Sequence, residues 1–515
     1  MTITQRIECH IPLNRVEGDL ELRVAVEGGR IVESWSSGTM YRGFERMLVG
    51  RAPLDSLVIT PRICGICTIT HLTAAVQALD QIFGVVPPSN AVRMRNLALM
   101  IETIQSDIRQ SLLMFLVDLS TSVGMGHAWH AEAQVRYQAL RGIRCIAAVK
   151  ETKRLLEIIA LLGGQWPHTS FMVPGGVVYA PPVVDFQKAV LLLRQFRNWY
   201  EQTVLGCGCA RWLELASVGD LEAWLAESAS HRQGDVGFLL RAGRDLGLDR
   251  LGIGSGNFLS YGALPIPVDS GLFGSGGQLV GAGFVAGLGQ TVGFEEQKIA
   301  EHVACSWYAD YPGGLHPMIG ITEPVASGAE GKKYSWVKAP RYAGLVAETG
   351  PVAERVVMQD PLFMDLARRD QGVSALTRQL ARLVRPAYLF GAAEQWLHEL
   401  IRHQAESFYL SVESVSQGEG VGLTQAARGA LGHWVKVENG QIAHYQIITP
   451  TAWNGSPRDE HGMRGAWEQA LLGTPLADPD ADDPVLAGMV VRSFDPCLVC
   501  SVHVVDGGGR RTLRP

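Results

Sequence analysis

The 515-residue sequence predicts a mainly α protein with small β elements (α+β): one large helical core, with short β segments near each end of the chain. Three observations carry this. Long stretches place apolar residues at helical spacing on a broad face. Alternating apolar and polar runs occur only near the two ends. No low-complexity linker or internal repeat divides the chain.

The elements follow in order. Leu20 to Val26 and Arg30 to Trp35 alternate in the manner of strands around an EGG turn, a β-hairpin signal. Helical periodicity then fills Ala91 to Leu119, Ala131 to Leu162 and Asp185 to Leu213. Glycine and proline punctuate Gly252 to Gly293 and Tyr311 to Pro351, where short strands and loops are expected. Helix returns from Ser374 to Leu410, with a break or kink expected near Pro386. His433 to Thr449 reads as a second hairpin turning at ENG. Pairing of the β elements at the two ends is expected to bring the termini together.

An apolar content of 47% with 19% charged residues is that of a globular protein, and the net charge of −6 with scattered Lys and Arg argues against a nucleic-acid partner. No apolar run is long enough for a membrane span. The N-terminus lacks the pattern of a signal peptide, so a cytoplasmic location, or one at the cytoplasmic face of a membrane, is expected; a periplasmic one requires export with a partner that carries the signal.

Nine cysteines are too few for a disulfide scaffold, but four of them form two CxxC pairs at opposite ends: Cys64 with Cys67, and Cys497 with Cys500. A thioredoxin-like redox pair requires one pair in a strand-to-helix context. Structural zinc usually takes its ligands from one small module. Two distant pairs fit better with a large scaffold that gathers four thiolates around a soft metal, against the alternative of four buried structural thiols. Cys9, Cys145, Cys305 and the CGC at Cys207 to Cys209 carry no assignment beyond buried thiols.

The residues around these pairs, PRICGICTITH (Pro61 to His71) and DPCLVCSVH (Asp495 to His503), resemble the two metal-binding signatures of nickel-iron hydrogenase large subunits. The likeness runs in order through RVEG (Arg15 to Gly18), MYRGFE (Met40 to Glu45), GGQWPH (Gly163 to His168), YSWVKAPRY (Tyr334 to Tyr342), ARGALGHW (Ala427 to Trp434) and PTAWNGSPRD (Pro450 to Asp459). It therefore spans the chain, and its forms look closest to uptake or hydrogen-sensing branches.

The resemblance implies a Ni-Fe(CN)2(CO) centre. Cys64 and Cys497 would be terminal nickel ligands, and Cys67 and Cys500 would bridge to iron. It implies Glu17 as the proton-relaying carboxylate, Arg428 as a guanidinium over the open side of the metals, and Asp495, with Asp107, as acids beside it. His71 would donate to a bridging sulfur and Thr451 to a cyanide. A magnesium or similar hard cation would take Glu45, the Ile448 carbonyl and His503. His168, His433 and Trp434 are expected to pack and hydrogen-bond. One departure stands out: Ala427 occupies the place of the commoner proline before the arginine. The implied activity is reversible heterolytic cleavage of H2 in the direction of uptake, with a low-turnover hydrogen sensor as the alternative. Without a further cysteine set for an iron–sulfur chain, electrons require an iron–sulfur small subunit. Residues 1–503 would form a single domain, and 504–515 an extension removed by a maturation endopeptidase after nickel-insertion factors have acted.

Overall fold

The computed structural model describes residues 6–271, 277–327, 331–476 and 484–501. It is mostly helical with small sheets. Its main core is built on the helices Thr68–Ile82, Ser89–Arg109, Ile143–Gly163, Val183–Trp199 and Ala375–Arg402. A three-stranded antiparallel meander lies near each end: Ile7–Leu13, Leu20–Glu27 and Arg30–Gly38 at the first, Gly418–Ala426, Gly429–Glu438 and Gln441–Ile448 at the second. Asn439 and Gly440, with φ of 51° and 75°, make the tight turn that ENG predicts, because a two-residue hairpin loop needs the left-handed region.

Several boundaries differ from the sequence reading. The predicted 131–162 helix is two, His130–Tyr137 and Ile143–Gly163, broken at Gly142, where a Cβ would strike the Arg136 carbonyl. The predicted 374–410 helix ends at Arg402 and runs unbroken through Pro386. The stretch 252–293 contains a two-stranded antiparallel pair, Asn257–Pro265 with Gln278–Ala286. The two terminal meanders belong to separate sheets, so they do not pair as expected. The ends meet instead at Glu17, whose N–H donates to the Pro496 carbonyl (3.3 Å) and whose carbonyl accepts from Leu498 N–H (2.6 Å).

The Thr68–Ile82 helix escapes the periodicity reading because it is buried nearly all round, leaving no polar face to mark its period. It lies flat on the Gly418–Ala426 strand. Gly420 and Gly422 permit this: a Cβ at either position would overlap the carbonyl of Ala78 or Ala74 on the helix. The alternating glycines of GEGVG thus bring the helix that follows the first CxxC against the sheet that leads to Arg428.

Candidate metal centre

The first cysteine pair occupies the loop between a short 3-10 turn, Thr60–Arg62, and the Thr68–Ile82 helix. Cys67 is the N-cap residue of that helix, yet its thiol makes no capping bond and is left for other use. The capping comes from Glu102 on the neighbouring helix. Its carboxyl accepts from Ile69 N–H (2.8 Å), Thr70 N–H (2.9 Å) and the Thr70 hydroxyl (2.9 Å). Burial pushes the Glu102 carboxyl up to about 8, against the opposing pull of those donors.

The second pair follows Asp495, which adopts a left-handed φ of 59°, and Pro496. Cys497 N–H donates to Thr451 Oγ1 (2.9 Å), and Cys500 N–H to the Cys497 carbonyl (3.1 Å). Arg42 ties the two loops together by donating to the carbonyls of Ile63 and Val499. Gly18, at φ 84°, lets the RVEG segment approach: a Cβ there would lie 2.9 Å from the Val499 nitrogen.

All four thiols are buried, and their sulfurs lie within 4.8 Å of one another. Cys64 to Cys497 is 3.7 Å, Cys67 to Cys500 is 3.2 Å and Cys497 to Cys500 is 2.9 Å. These separations exceed the ~2.05 Å of a disulfide and suit sulfurs that share ligation of one centre. Hydrogen bonding from Cys497, then Cys500 and Cys67, holds the Cys64 thiol well below its ordinary range. Cys67 is pushed well up by its bond with Cys497, and Cys500 well up by burial. Four thiolates cannot coexist in so small a buried volume without cations, so the donor set fits soft transition-metal ions.

Arg428 stands in the turn between Gly418–Ala426 and Gly429–Glu438, and Gly429 makes the turn possible at φ 124°. Its Nε pairs with Asp495 Oδ1 at 3.1 Å, and its Nη1 is buried without a hydrogen-bond partner among the described residues. An orphaned guanidinium donor beside four sulfurs fits a small anionic acceptor bound at the centre. Burial lowers the Arg428 pKa, but Asp495 and then Cys497, Cys67 and Cys64 outweigh it and hold the guanidinium charged.

Glu17 faces the same place. Burial raises its carboxyl above the usual range, Arg428 opposes the shift, and Cys64 and Asp495 add to it. A cavity of about 30 Å³, with Glu17, Ile66, Arg109, Arg428 and Asp495 in its wall, has room for about one water-sized molecule.

Other predicted residues are placed as follows. Both oxygens of Asp107 are bound by Arg385, at 2.8 Å and 2.7 Å, so this acid bears on a second arginine more directly than on Arg428. His71 Nδ1 lies 3.1 Å from His433 Nε2, and burial lowers His71 to about 4, which keeps it neutral. His433 continues to the Tyr445 hydroxyl at 2.9 Å. His168 Nδ1 donates to the Pro61 carbonyl (2.9 Å), and the Trp434 indole bonds Glu296. Thr451 spends its hydroxyl oxygen on Cys497, which leaves the hydroxyl proton for a further acceptor.

Glu45 is buried and accepts from Ile447 N–H at 2.9 Å, beside the buried Ile448. Glu301 shares this region; burial, opposed by Lys338 and reinforced by Glu45, pushes it up to about 7. Two buried carboxylates with one lysine suit a hard cation. His503 and the 504–515 segment lie outside the described residues.

Glu102, Arg42, Arg382, Arg385 and Glu301 went unnoticed in the sequence. Arg378, Arg382 and Arg385 fall at i, i+4 and i+7 on one face of the Ala375–Arg402 helix, a spacing that a solvated basic face would show equally. Among the described residues the other group able to hold a metal is Asp269, His403 and Glu406, which is exposed to half-buried, and no second four-cysteine set occurs. No described helix is long and apolar enough to cross a membrane.

The family model for nickel-dependent hydrogenase matches residues 42–112 and 245–503. The periplasmic [NiFeSe] hydrogenase large subunit of Desulfomicrobium baculatum is 31% identical, over 96% of this chain and 94% of that protein. The uptake hydrogenase large subunit of Rhodobacter capsulatus is 30% identical, over 97% and 95%. The solved Ni-Fe-Se hydrogenase from D. vulgaris Hildenborough superposes with a TM-score of 0.81 at 32% identity, covering 97% of this chain and 100% of that one.

Proposed function

The chain belongs to the nickel-dependent hydrogenase family and is an oxidoreductase acting on H2, and on that premise we propose that it is the large, catalytic subunit of an uptake enzyme. The single observation that carries the reading is the buried four-sulfur cluster with Arg428 beside it. Cys64, Cys67, Cys497 and Cys500 would hold a Ni-Fe(CN)2(CO) centre, with Cys64 and Cys497 serving nickel and Cys67 and Cys500 serving both metals. Once bound, this centre supplies the Lewis acidity and the electron acceptors that split H2. The residues do the rest.

Glu17 takes the proton released at the sulfurs and passes it outward. Burial raises its carboxyl above the ordinary carboxylate range, which makes it a better proton acceptor than an exposed glutamate. Arg428 holds a fixed positive charge over the cavity, and Asp495 holds Arg428. His71, kept neutral by burial and held by His433 through Nδ1, would offer its other ring nitrogen to a cysteine sulfur and tune the potential of the centre. Thr451 anchors the Cys497 loop, and its hydroxyl proton would be available to a cyanide of the bound centre. Glu45 and the Ile448 carbonyl, with His503, would hold magnesium.

An iron–sulfur small subunit accepts the electrons, since the described residues contain one four-cysteine set and the centre uses it. The location of the protein follows that partner's: the cytoplasm or the cytoplasmic face of a membrane, or the periplasm, as the Desulfomicrobium relative is named, where the two are exported together. Residues 1–503 are the working domain, and 504–515 are cleaved after nickel loading. Intact mass of the active enzyme should place its end at His503, and a mass that includes Pro515 overturns that step.

The test of the whole reading is metal analysis with infrared detection of carbon monoxide and cyanide, together with H2-dependent dye reduction. The expected result is nickel, iron, both ligand signatures and sustained turnover. Nickel-free protein without those signatures overturns the reading, and slow turnover with a signalling partner favours the sensor. Glu17→Gln should abolish turnover with nickel retained; nickel loss in that variant removes Glu17 from the relay.

A further inference from the structure

The carbonyl of Ala427, immediately before Arg428, is held by two buried arginines from one helix. Arg385 Nη2 donates to it at 2.6 Å and Arg382 Nη1 at 3.1 Å. We infer that Arg382 and Arg385 are positioning residues for Arg428. They fix the Ala427–Arg428 peptide so that the guanidinium reaches Asp495 and the sulfurs. The inference rests on the hydrogenase reading for the meaning of its activity readout.

Each arginine is itself anchored. Arg385 engages Asp107 with two nitrogens, at 2.8 Å and 2.7 Å, and gives Nη1 to Glu354 at 2.8 Å. Its planar fork is therefore committed on every side, which a lysine cannot reproduce. Arg382 spans Asp495 Oδ2 at 3.4 Å, Asp107 Oδ1 at 3.6 Å and the Ser493 carbonyl at 3.4 Å. One helix face thus holds Arg428 through the peptide before it and holds Asp495, the counter-ion of Arg428, directly.

Arg382, Arg385 and Arg428 meet Asp107, Glu354 and Asp495, so the buried cluster balances its charges. Such a cluster is rigid, because loss of one member strands a charge in a low-dielectric interior. The sequence supplies the reason for so firm a grip. Position 427 is alanine, so its φ lacks the covalent restraint that a proline ring gives. Two charged hydrogen bonds to the carbonyl fix the other side of the residue, the plane of the Ala427–Arg428 peptide.

The test uses the assembled, metal-loaded enzyme carrying Arg385→Lys, Arg382→Lys, and Arg385→Lys combined with Ala427→Pro. Arg385→Lys should cost about tenfold or more in turnover while nickel and iron are retained. Amide hydrogen exchange at Arg428 and Gly429 should quicken by a similar factor, with exchange in the Ala375–Arg402 helix unchanged. Adding Ala427→Pro should recover part of both by fixing φ at 427, with the exchange of the Ala375–Arg402 helix as the control for general stability. Wild-type exchange at the turn in both lysine variants overturns the proposal, as does a turnover loss that the proline leaves unrepaired. If Arg385→Lys does not fold, the Arg382→Lys exchange measurement decides alone. Wild-type protein without nickel or turnover refutes the hydrogenase reading, and the exchange arm still reads the positioning.

Discussion

Removing the carboxyl of Glu102 should loosen the helix that carries the first cysteine pair, and the structure sets the size of the effect. Glu102→Ala leaves the amides of Ile69 and Thr70 buried without acceptors, while the Thr70 hydroxyl can rotate elsewhere. At about 1–3 kcal/mol for each stranded donor, with a cavity added, the loss is about 4 kcal/mol. Glu102→Gln keeps one oxygen and turns its amide nitrogen toward a donor, so about 1–2 kcal/mol is lost.

The pH dependence is a second signature of the same residue. The folded carboxyl titrates near 8 against an ordinary value of 4.5, so between those values the folded protein binds more protons than the unfolded chain. Its contribution is complete below pH 4.5 and is lost as pH rises to about 8, with a slope approaching 1.4 kcal/mol per pH unit. Denaturant unfolding of wild type and Glu102→Gln across that window should give curves that differ by this slope. Parallel curves, or an alanine variant within about 0.5 kcal/mol of wild type, refute the capping account.

Arg428→Lys keeps the charge but loses the fork, and should cut dye-reduction turnover by about a hundredfold with metal content unchanged; equal turnover removes the guanidinium from the reaction. Gly422→Val drives a side chain into the Ala74 carbonyl and should lower stability by about 3 kcal/mol or more in thermal unfolding, whereas an unchanged midpoint overturns the close helix-on-strand packing. Glu45→Gln should lower magnesium in elemental analysis while nickel persists, and equal magnesium overturns the assignment of Glu45 as a ligand.

Much of this was legible along the chain. The two CxxC pairs and their flanking motifs announce the metal chemistry locally, because thiols three positions apart reach one centre from a single turn. The Asn439–Gly440 turn and the long helix toward Arg402 likewise follow from short-range rules of conformation and periodicity. The Thr68–Ile82 helix did not, since burial on every side erases the contrast that periodicity reads.

The sequence alone determined the chemistry of the centre: four soft sulfur donors, an acid in RVEG and an arginine in ARG, each specified by residue type and close neighbours. Tertiary structure decided what surrounds them. Glu102, Arg382 and Arg385 act through carbonyls and amides far away in the chain, and a buried arginine on a helix is no different in sequence from an exposed one until its acidic partners are brought against it. That the two chain ends meet at a buried metal site was legible in the two CxxC pairs, but the contacts that join them were not. Those contacts include two backbone hydrogen bonds between Glu17 and the 496–498 segment, and backbone groups carry no residue identity to be read in advance.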